Sequence, residues 1–143
     1  KKFVDFIIPT CDMDMVIKQS DYLAIACPLT PLTENMINKR SFRLMKNSAV
    51  IINTARGCIV NENHLIYAIE NKEISGAALD VFASEPLDKN SKLFSFNNVL
   101  LSPHISGNFS GYQEIMIGQF SEMLIKYLNN KILKNRVCKK RLY

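Results

Sequence analysis

Three side chains of this 143-residue chain could together bind an anion and transfer a proton. His104 follows an apolar run, and a histidine titrates close to neutral pH, which suits a proton donor. Glu85 stands just before Pro86, and a carboxylate beside an imidazole favours the protonated ring and fixes its tautomer. Arg56 stands before Gly57, and its planar guanidinium can bind a carboxylate through two hydrogen bonds. These residue types supply an anion-binding group, a proton donor and a residue that orients the donor.

Each of these residues has an ordinary structural explanation when it is taken alone. An arginine in a turn is usually solvated, and a histidine after Pro103 can cap a loop. Glu85 can be a solvated loop acid, and Asp80 can be a turn former. Their common position favours the functional interpretation, because all of them follow predicted strands.

Four short apolar runs predict buried strands, and they alternate with helical patterns. The predicted strands cover residues 22–27, 49–52, 76–81 and 99–101. One helix is predicted over 33–45, a second after an N-cap at Asn61, and a long amphipathic helix over about 110–130. His64 falls on the second of these helices, where a histidine has an ordinary structural role.

The alternation of strands and helices predicts an α/β fold with a partial Rossmann-type, doubly wound parallel sheet and a long C-terminal helix. Right-handed crossovers are expected between its strands. Ligands bind such sheets at the carboxyl ends of the strands. The polar residues just past each strand are therefore the candidates for a site.

Composition and cysteine spacing limit the class of protein. Hydrophobic residues make up 48% of the chain and charged residues 22%, which is typical of a globular domain. The apolar runs are too short to cross a membrane, and the start lacks the pattern of a signal peptide. The cysteines at 11, 27, 58 and 138 form no CxxC pair and match no zinc module. They predict a reducing, cytoplasmic environment and no metal site.

The net charge of +5 comes from the end of the chain. Residues 134–143 contain five basic side chains and no acid, and the 13 remaining basic residues match the 13 acidic ones. A basic tail could bind nucleic acid or an anionic surface. A solvated terminus is the favoured interpretation, because no aromatic residue interrupts the cluster before Tyr143.

Four segments, in order and with suitable spacing, resemble the D-isomer-specific 2-hydroxyacid dehydrogenases. They are residues 27–33, CPLTPLT; 50–57, VIINTARG; 76–87, GAALDVFASEPL; and 101–105, LSPHI. The ending, residues 135–143, is similar to that of glyoxylate/hydroxypyruvate reductases of the bacterial A type, with Leu142 in place of their glycine. The resemblance covers nearly the whole chain.

The resemblance implies a role for each catalytic candidate. Arg56 would hold the substrate carboxylate and polarise the carbonyl group. His104 would donate a proton to the carbonyl oxygen, and Glu85 would pair with His104. The implied reaction is the reduction of small 2-oxo acids, such as glyoxylate or hydroxypyruvate, to D-2-hydroxy acids.

The implied cofactor is NAD or NADP. Asp80 would accept a hydrogen bond from the nicotinamide carboxamide, and Cys27, Pro28 and Thr33 would contact the adenosine and ribose-phosphate side. The residues expected close to the nicotinamide are Thr54, Ala55, Arg56, His104 and Gly107.

The resemblance also implies a domain organisation. Residues 1–109 would be the C-terminal part of a dinucleotide-binding domain, and 110–143 a helix and tail that return to a substrate domain. The five glycines, at 57, 76, 107, 111 and 118, do not form the GxGxxG turn that binds a pyrophosphate. We therefore expect the chain to be part of a longer protein and to be inactive by itself. The resemblance implies that this longer protein is a homodimer. We expect it to be cytoplasmic, with no nucleic-acid or membrane partner.

Three alternatives to this interpretation remain, one of them another dehydrogenase and two of them non-enzymatic proteins. A phosphoglycerate-type dehydrogenase shares the fold, whereas formate dehydrogenases carry Gln at the position of Glu85. A non-catalytic dinucleotide-binding corepressor could retain the same residues. A nucleic-acid-binding tail on an inert α/β domain would bind with a steep dependence on salt.

Overall fold

Four parallel strands form one sheet in the order β1-β2-β3-β4. The computed structural model describes residues 4–140. The strands are β1 (Tyr22–Ile25), β2 (Val50–Asn53), β3 (Gly76–Leu79) and β4 (Val99–Leu101). Each lies within one or two residues of a predicted strand. The parallel α/β sheet is thus confirmed, and β2 extends one residue past the predicted strand, to Asn53.

Three helices accompany the strands along the chain. They are α1 (Met13–Gln19), α2 (Lys39–Leu44) and α3 (Glu62–Glu70). The side chain of Asn61 accepts a hydrogen bond from the amide of His64, so the predicted N-cap of α3 is confirmed. The sequence pattern predicts no helix before Tyr22, and the structure has α1 there.

The predicted helix over 33–45 is shorter in the structure. The hydroxyl of Thr33 donates to the carbonyl of Pro28 and accepts from the amide of Thr30, which builds a polar turn there. The helix α2 begins only after Asn38, whose side chain caps it by accepting from the amide of Arg40. Local side-chain hydrogen bonds therefore replace the first two turns of the predicted helix.

The core lies on one face of the sheet. Side chains alternate between the two faces of a strand, and in β1 and β2 the most buried residues fall on alternate positions. The buried cluster combines strand residues with residues of all three helices, and its largest members include Ile17, Ile51, Phe42 and Leu65. Burying side chains of this size contributes about 1.5–3 kcal/mol each. On the alternate positions Tyr22 is 72% exposed. The strand predicted over 22–27 is therefore only half buried.

The backbone after β2 lies unusually close to the backbone after β3. A Cβ atom added to Gly57 would stand 1.9 Å from both the carbonyl carbon and the carbonyl oxygen of Phe82, and 2.5 Å from the amide nitrogen of Ala83. Only glycine fits this approach. It brings the turn that carries Arg56 against the segment that leads to Glu85.

Residues beyond His104 form a second compact unit, Ile105–Tyr143. It contains α4 (Tyr112–Leu128), which corresponds to the predicted long helix. Gly111 precedes the helix with φ +85°, a backbone conformation that glycine adopts readily. The predicted division between 109 and 110 stays a prediction. Among residues 4–140, no helix is long and apolar enough to cross a membrane.

The close approach at Gly57 leads to a prediction about stability. Gly57→Ala is expected to lower the free energy of unfolding by about 3 kcal/mol, at the upper end of the usual cost of overpacking, because one backbone segment must move. Urea denaturation of the chain, followed by circular dichroism, measures this change. Gly118→Ala is the matched control, since its Cβ would meet nothing within 4 Å and alanine favours a helix. Equal denaturation midpoints for the two variants would contradict the prediction.

Candidate functional site

The carboxyl ends of the four strands gather the candidate residues at one edge of the sheet. In a parallel sheet these ends all lie on the same side. Cys27 and Pro28 follow β1, Thr54 and Arg56 follow β2, and Asp80 follows β3. Glu85 lies further along the segment after β3, and His104 follows β4. The structure thus brings residues from distant parts of the sequence to a common edge, as expected.

The imidazole of His104 and the carboxylate of Glu85 form a direct pair. The Nδ1 atom of His104 lies 2.8 Å from Oε2 of Glu85. Both side chains are partly open to solvent, with 49% of the His104 side chain and 37% of the Glu85 side chain exposed. Since Nδ1 faces the carboxylate, Nε2 is the ring nitrogen available to a reacting group.

The backbone of His104 is held in an uncommon conformation. Its φ of 55° lies in the left-handed region, which histidine tolerates better than most residues. The amide of His104 donates to the carbonyl of Asp80 at 2.8 Å and to the carbonyl of Ser102 at 3.1 Å. The first of these hydrogen bonds joins His104 to the end of β3, and the second closes a turn after β4.

The carboxylate of Glu85 is oriented by a second hydrogen bond. Its Oε1 atom accepts from the amide of Phe82 at 3.0 Å, while Oε2 faces His104. The hydrogen bond from His104 lowers the pKa of Glu85 below its ordinary value of 4.5, the amide of Phe82 lowers it further, and the charge of Arg56 adds a smaller effect. These interactions favour the ionised form of the Glu85 carboxylate.

Arg56 lies in the turn after β2 and is exposed. Its guanidinium donates from Nη1 to the carbonyl of Ala55 at 2.7 Å. The guanidinium is also close enough to Glu85 to act on its ionisation. A cation in this place can bind the carboxylate of a small molecule next to the His104 ring.

Asp80 carries a second carboxylate of the edge, but in a different environment. Asp80 is 3% exposed, and its Oδ1 atom accepts a hydrogen bond of 2.5 Å from the hydroxyl of Ser102. Ser102 in turn donates its amide to the carbonyl of Leu79 at 2.9 Å. A buried carboxylate whose direction is fixed in this way is suited to accept a hydrogen bond from an N–H group of a ligand.

The loop after β1 is organised by threonine side chains. Thr33 Oγ1 donates to the carbonyl of Pro28 at 2.7 Å and accepts from the amide of Thr30 at 2.8 Å. Cys27 is half-buried and Pro28 is exposed. The three predicted cofactor contacts of this loop therefore belong to one compact turn. Gly107, the remaining predicted contact, belongs to the second unit.

An apolar groove of about 340 Å³ borders the His104–Glu85 pair. Its apolar lining comes mainly from the segment after β3, the 3₁₀ helix Lys92–Ser95 and the end of β4. These apolar lining residues are Phe82, Pro86, Leu87, Phe94, Leu101 and Pro103. Apolar walls lower the local dielectric constant, which strengthens interactions between charges at the polar end of the groove.

Two residues of the edge were missed as site residues by the sequence analysis. Asn53 is 1% exposed, and its side-chain amide binds the backbone of the turn that carries Arg56. Ser102 binds the carboxylate of Asp80. Both stand inside the segments that carried the family resemblance. A polar residue directly at the end of an apolar run was the signal for each.

A family model described as D-isomer specific 2-hydroxyacid dehydrogenase, NAD binding domain, matches residues 2–106. A curated relative is glyoxylate/hydroxypyruvate reductase B of Cronobacter sakazakii, which is 41% identical over 127 residues. The match covers 89% of this chain and 39% of the relative, so the chain spans about two fifths of that protein's length. The ending of the chain had indicated the A type instead. Residues 141–143 of that ending lie outside the described residues.

Solved structures of the same kind share the fold. A D-isomer specific 2-hydroxyacid dehydrogenase from Xanthobacter autotrophicus Py2, in complex with NADPH and MES, has a TM-score of 0.87 and 30% identity. The similarity covers 94% of this chain and 55% of that one. D-lactate dehydrogenase from Lactobacillus jensenii with NAD⁺ has a TM-score of 0.76 and 33% identity, over 87% of this chain and 42% of that one.

The His104–Glu85 pair gives a prediction about ionisation. The pKa of Glu85 is expected to lie below 4.5, and His104→Ala should raise it toward 4.5 by removing the largest cause of the shift. Carboxyl ¹³C NMR of the labelled chain, titrated from neutral to acidic pH, measures both values. His64→Ala is the matched control and should leave the Glu85 titration unchanged. A Glu85 pKa of 4.5 or more in the unaltered chain would contradict the prediction.

The same shift predicts how stability changes with pH. Because the folded-state pKa of Glu85 is lowered, its contribution to the free energy of unfolding is present above pH 4.5 and is lost as the pH falls through the folded-state pKa. The contribution is small, since solvent screens a side chain that is 37% exposed. The stability difference between the unaltered chain and Glu85→Gln should therefore shrink toward acidic pH in urea denaturation. A difference that grows on acidification would show the opposite sign.

Proposed function

Because the chain belongs to the D-isomer specific 2-hydroxyacid dehydrogenase family, we propose that its residues form the catalytic edge of an NAD(P)-dependent oxidoreductase. The proposed reaction is the reduction of small 2-oxo acids, of the glyoxylate or hydroxypyruvate kind, to D-2-hydroxy acids. One observation carries the proposal. The His104–Glu85 pair, with Nδ1 and Oε2 2.8 Å apart, lies at the strand-end edge beside the cation Arg56.

Each residue of the triad has a role that its geometry suits. Arg56 would bind the substrate carboxylate and polarise the neighbouring carbonyl group. His104 would donate a proton from Nε2 to the carbonyl oxygen, because Nδ1 faces Glu85. Glu85 would keep the ring oriented and protonated before reduction. A developing alkoxide between two cationic groups is stabilised by charge at the point where it forms.

The residues also suit the nicotinamide end of the proposed cofactor, NAD or NADP. When bound, that group supplies the hydride. The buried Asp80 carboxylate would accept a hydrogen bond from its carboxamide, and Thr54, Ala55 and Gly107 would lie beside it. Cys27, Pro28 and Thr33 would contact the adenosine and ribose-phosphate side. In support, the acceptor at Asp80 is fixed in place by Ser102.

The partners and location follow as further parts of the proposal. The small 2-oxo acid and its 2-hydroxy product would be the exchanging partners, and the protein that carries these residues would be a cytoplasmic homodimer. No nucleic acid or membrane is proposed as a partner, since the excess of basic residues is confined to residues 134–143. Cys11, Cys27, Cys58 and Cys138 are free thiols in the structure, which suits a reducing compartment.

The proposed catalytic roles predict the effect of two substitutions in the full-length protein that carries these residues. His104→Ala should lower kcat for glyoxylate by about 10²–10⁴-fold, the usual contribution of a general acid, and leave NADH binding intact. Arg56→Ala should lower kcat/KM by about 10–100-fold, because a charged hydrogen-bond partner of the substrate is lost. Steady-state kinetics and NADH titration calorimetry measure these effects.

Matched controls separate these effects from general damage. His64→Ala on α3 and Arg40→Ala on α2 should leave turnover unchanged, since Arg40 pairs with Asp14. A protein that binds NADH but reduces no 2-oxo acid before any substitution would favour the dinucleotide-binding corepressor instead. Unchanged turnover in His104→Ala would remove His104 from the mechanism.

A second prediction concerns the 143 residues by themselves. They are expected to bind NADH weakly or not at all and to show no useful turnover, because none of their five glycines forms a GxGxxG turn for the pyrophosphate. Titration calorimetry with NADH and a glyoxylate assay measure both properties. Turnover by the purified 143-residue chain would overturn this expectation.

A further inference from the structure

The side chain of Asn53 is buried at the centre of the candidate site. It is the last residue of β2, and the residue is 1% exposed. Its Oδ1 atom accepts from the amide of Ala55 at 3.1 Å, and its Nδ2 atom donates to the carbonyl of Arg56 at 3.0 Å. The amide group thus binds the turn at two points, once as acceptor and once as donor.

The backbone of Asn53 joins this turn to the other half of the site. Its carbonyl accepts from the amide of Asp80 at 3.0 Å. The carbonyl of Asp80 accepts from the amide of His104 at 2.8 Å. Asn53 therefore links the turn that carries Arg56, through Asp80, to the backbone of His104.

We propose that Asn53 is a positioning residue for Arg56, and that its side-chain amide sets where the guanidinium meets the substrate carboxylate. The inference rests on the proposed function, since it assigns that carboxylate to Arg56. Both hydrogen bonds of the Asn53 side chain end on the backbone of the turn that carries Arg56. Asn53 acts through Arg56 and takes no part in the chemistry.

The donor half of the amide is the part that aspartate cannot replace. Aspartate has nearly the same shape and keeps an oxygen that can accept from the amide of Ala55. Its second oxygen would face the carbonyl of Arg56, and two acceptors repel each other in a buried place. Asn53→Asp therefore tests the Arg56 end of the turn and spares the Ala55 end.

The test measures binding of oxamate, a carboxylate analogue of 2-oxo acids, to the full-length protein with NADH bound. Asn53→Asp and Arg56→Ala should each weaken oxamate binding by at least about 10-fold, and Asn53→Asp should change the Kd of NADH by no more than about twofold. Combined, the two substitutions should weaken it no more than Arg56→Ala alone, because Asn53 acts only through Arg56. Titration calorimetry gives all of these constants.

Asn38→Asp is the matched control, since Asn38 has the same arrangement at the N terminus of α2. Its Oδ1 atom accepts from the amide of Arg40 at 3.0 Å, and its Nδ2 atom donates to the carbonyl of Asn35 at 3.1 Å. This control should leave oxamate binding unchanged. Asn53→Ser, which introduces no charge, replaces Asn53→Asp if circular dichroism shows that the aspartate variant is unfolded.

Amide hydrogen exchange of the full-length protein without ligand gives a readout that does not depend on oxamate or NADH binding. The amide of Ala55 should stay protected in Asn53→Asp, which keeps the acceptor, and should lose protection in Asn53→Ala. Protection of the Ala55 amide that persists in Asn53→Ala would show that the Asn53 side chain does not hold the turn, and it would overturn the inference.

The outcomes separate this inference from the proposed function. If Arg56→Ala leaves oxamate binding unchanged, the proposed role of Arg56 fails and the inference fails with it. If Arg56→Ala weakens binding but Asn53→Asp does not, only the inference fails. It fails also if the losses from the two substitutions multiply in the double variant, because Asn53 would then act independently of Arg56.

Discussion

The backbone of Gly57 lies against the backbone of Phe82, and the geometry of the strand-end edge depends on this contact. The turn after β2 and the segment after β3 can approach so closely because residue 57 has no side chain. Phe82 donates its amide to Glu85, so the same segment that meets Gly57 also orients the carboxylate. The contact thus relates the cation of one turn to the anion of the next. Two strands pairing in parallel would not achieve this by themselves, since their following turns could diverge.

Hydrogen bonds between residues at the ends of neighbouring strands also fix the geometry of this edge. The carbonyl of Asn53 holds Asp80, and the carbonyl of Asp80 holds His104. Each bond joins neighbouring strands at the point where pairing ends. The left-handed conformation of His104 costs backbone energy, and these bonds offset that cost. The ring is therefore placed by backbone geometry, whereas its tautomer is set by Glu85.

Particular residues show what could be predicted from the sequence. The apolar runs predicted the four strands, and the order of the motifs placed Arg56, Glu85 and His104 at one edge, because these features depend on local pattern and on parallel topology. The turn at Thr33 and the role of Asn53 could not be predicted in this way. Both rest on side-chain hydrogen bonds to backbone atoms, and an Asn or Thr at the end of an apolar run is equally compatible with a solvated turn. The close approach of Gly57 to Phe82 could not be predicted either, because it joins two segments that are 25 residues apart.

The two carboxylates of the strand-end edge, Asp80 and Glu85, are the same chemical group in different environments. Glu85 is partly exposed and faces an imidazole and a guanidinium, so its negative charge is balanced by groups that would themselves act on a substrate. Asp80 is buried and bound by the hydroxyl of Ser102, so its oxygen atoms are fixed in direction. A fixed acceptor suits recognition of a neutral donor, whereas a carboxylate paired with an imidazole suits control of a proton. The Asp80 carboxylate is therefore suited to hold a hydrogen-bond donor in place, and the Glu85 carboxylate is suited to orient the imidazole of His104. This difference arises from the burial of each carboxylate and from its hydrogen-bond partner.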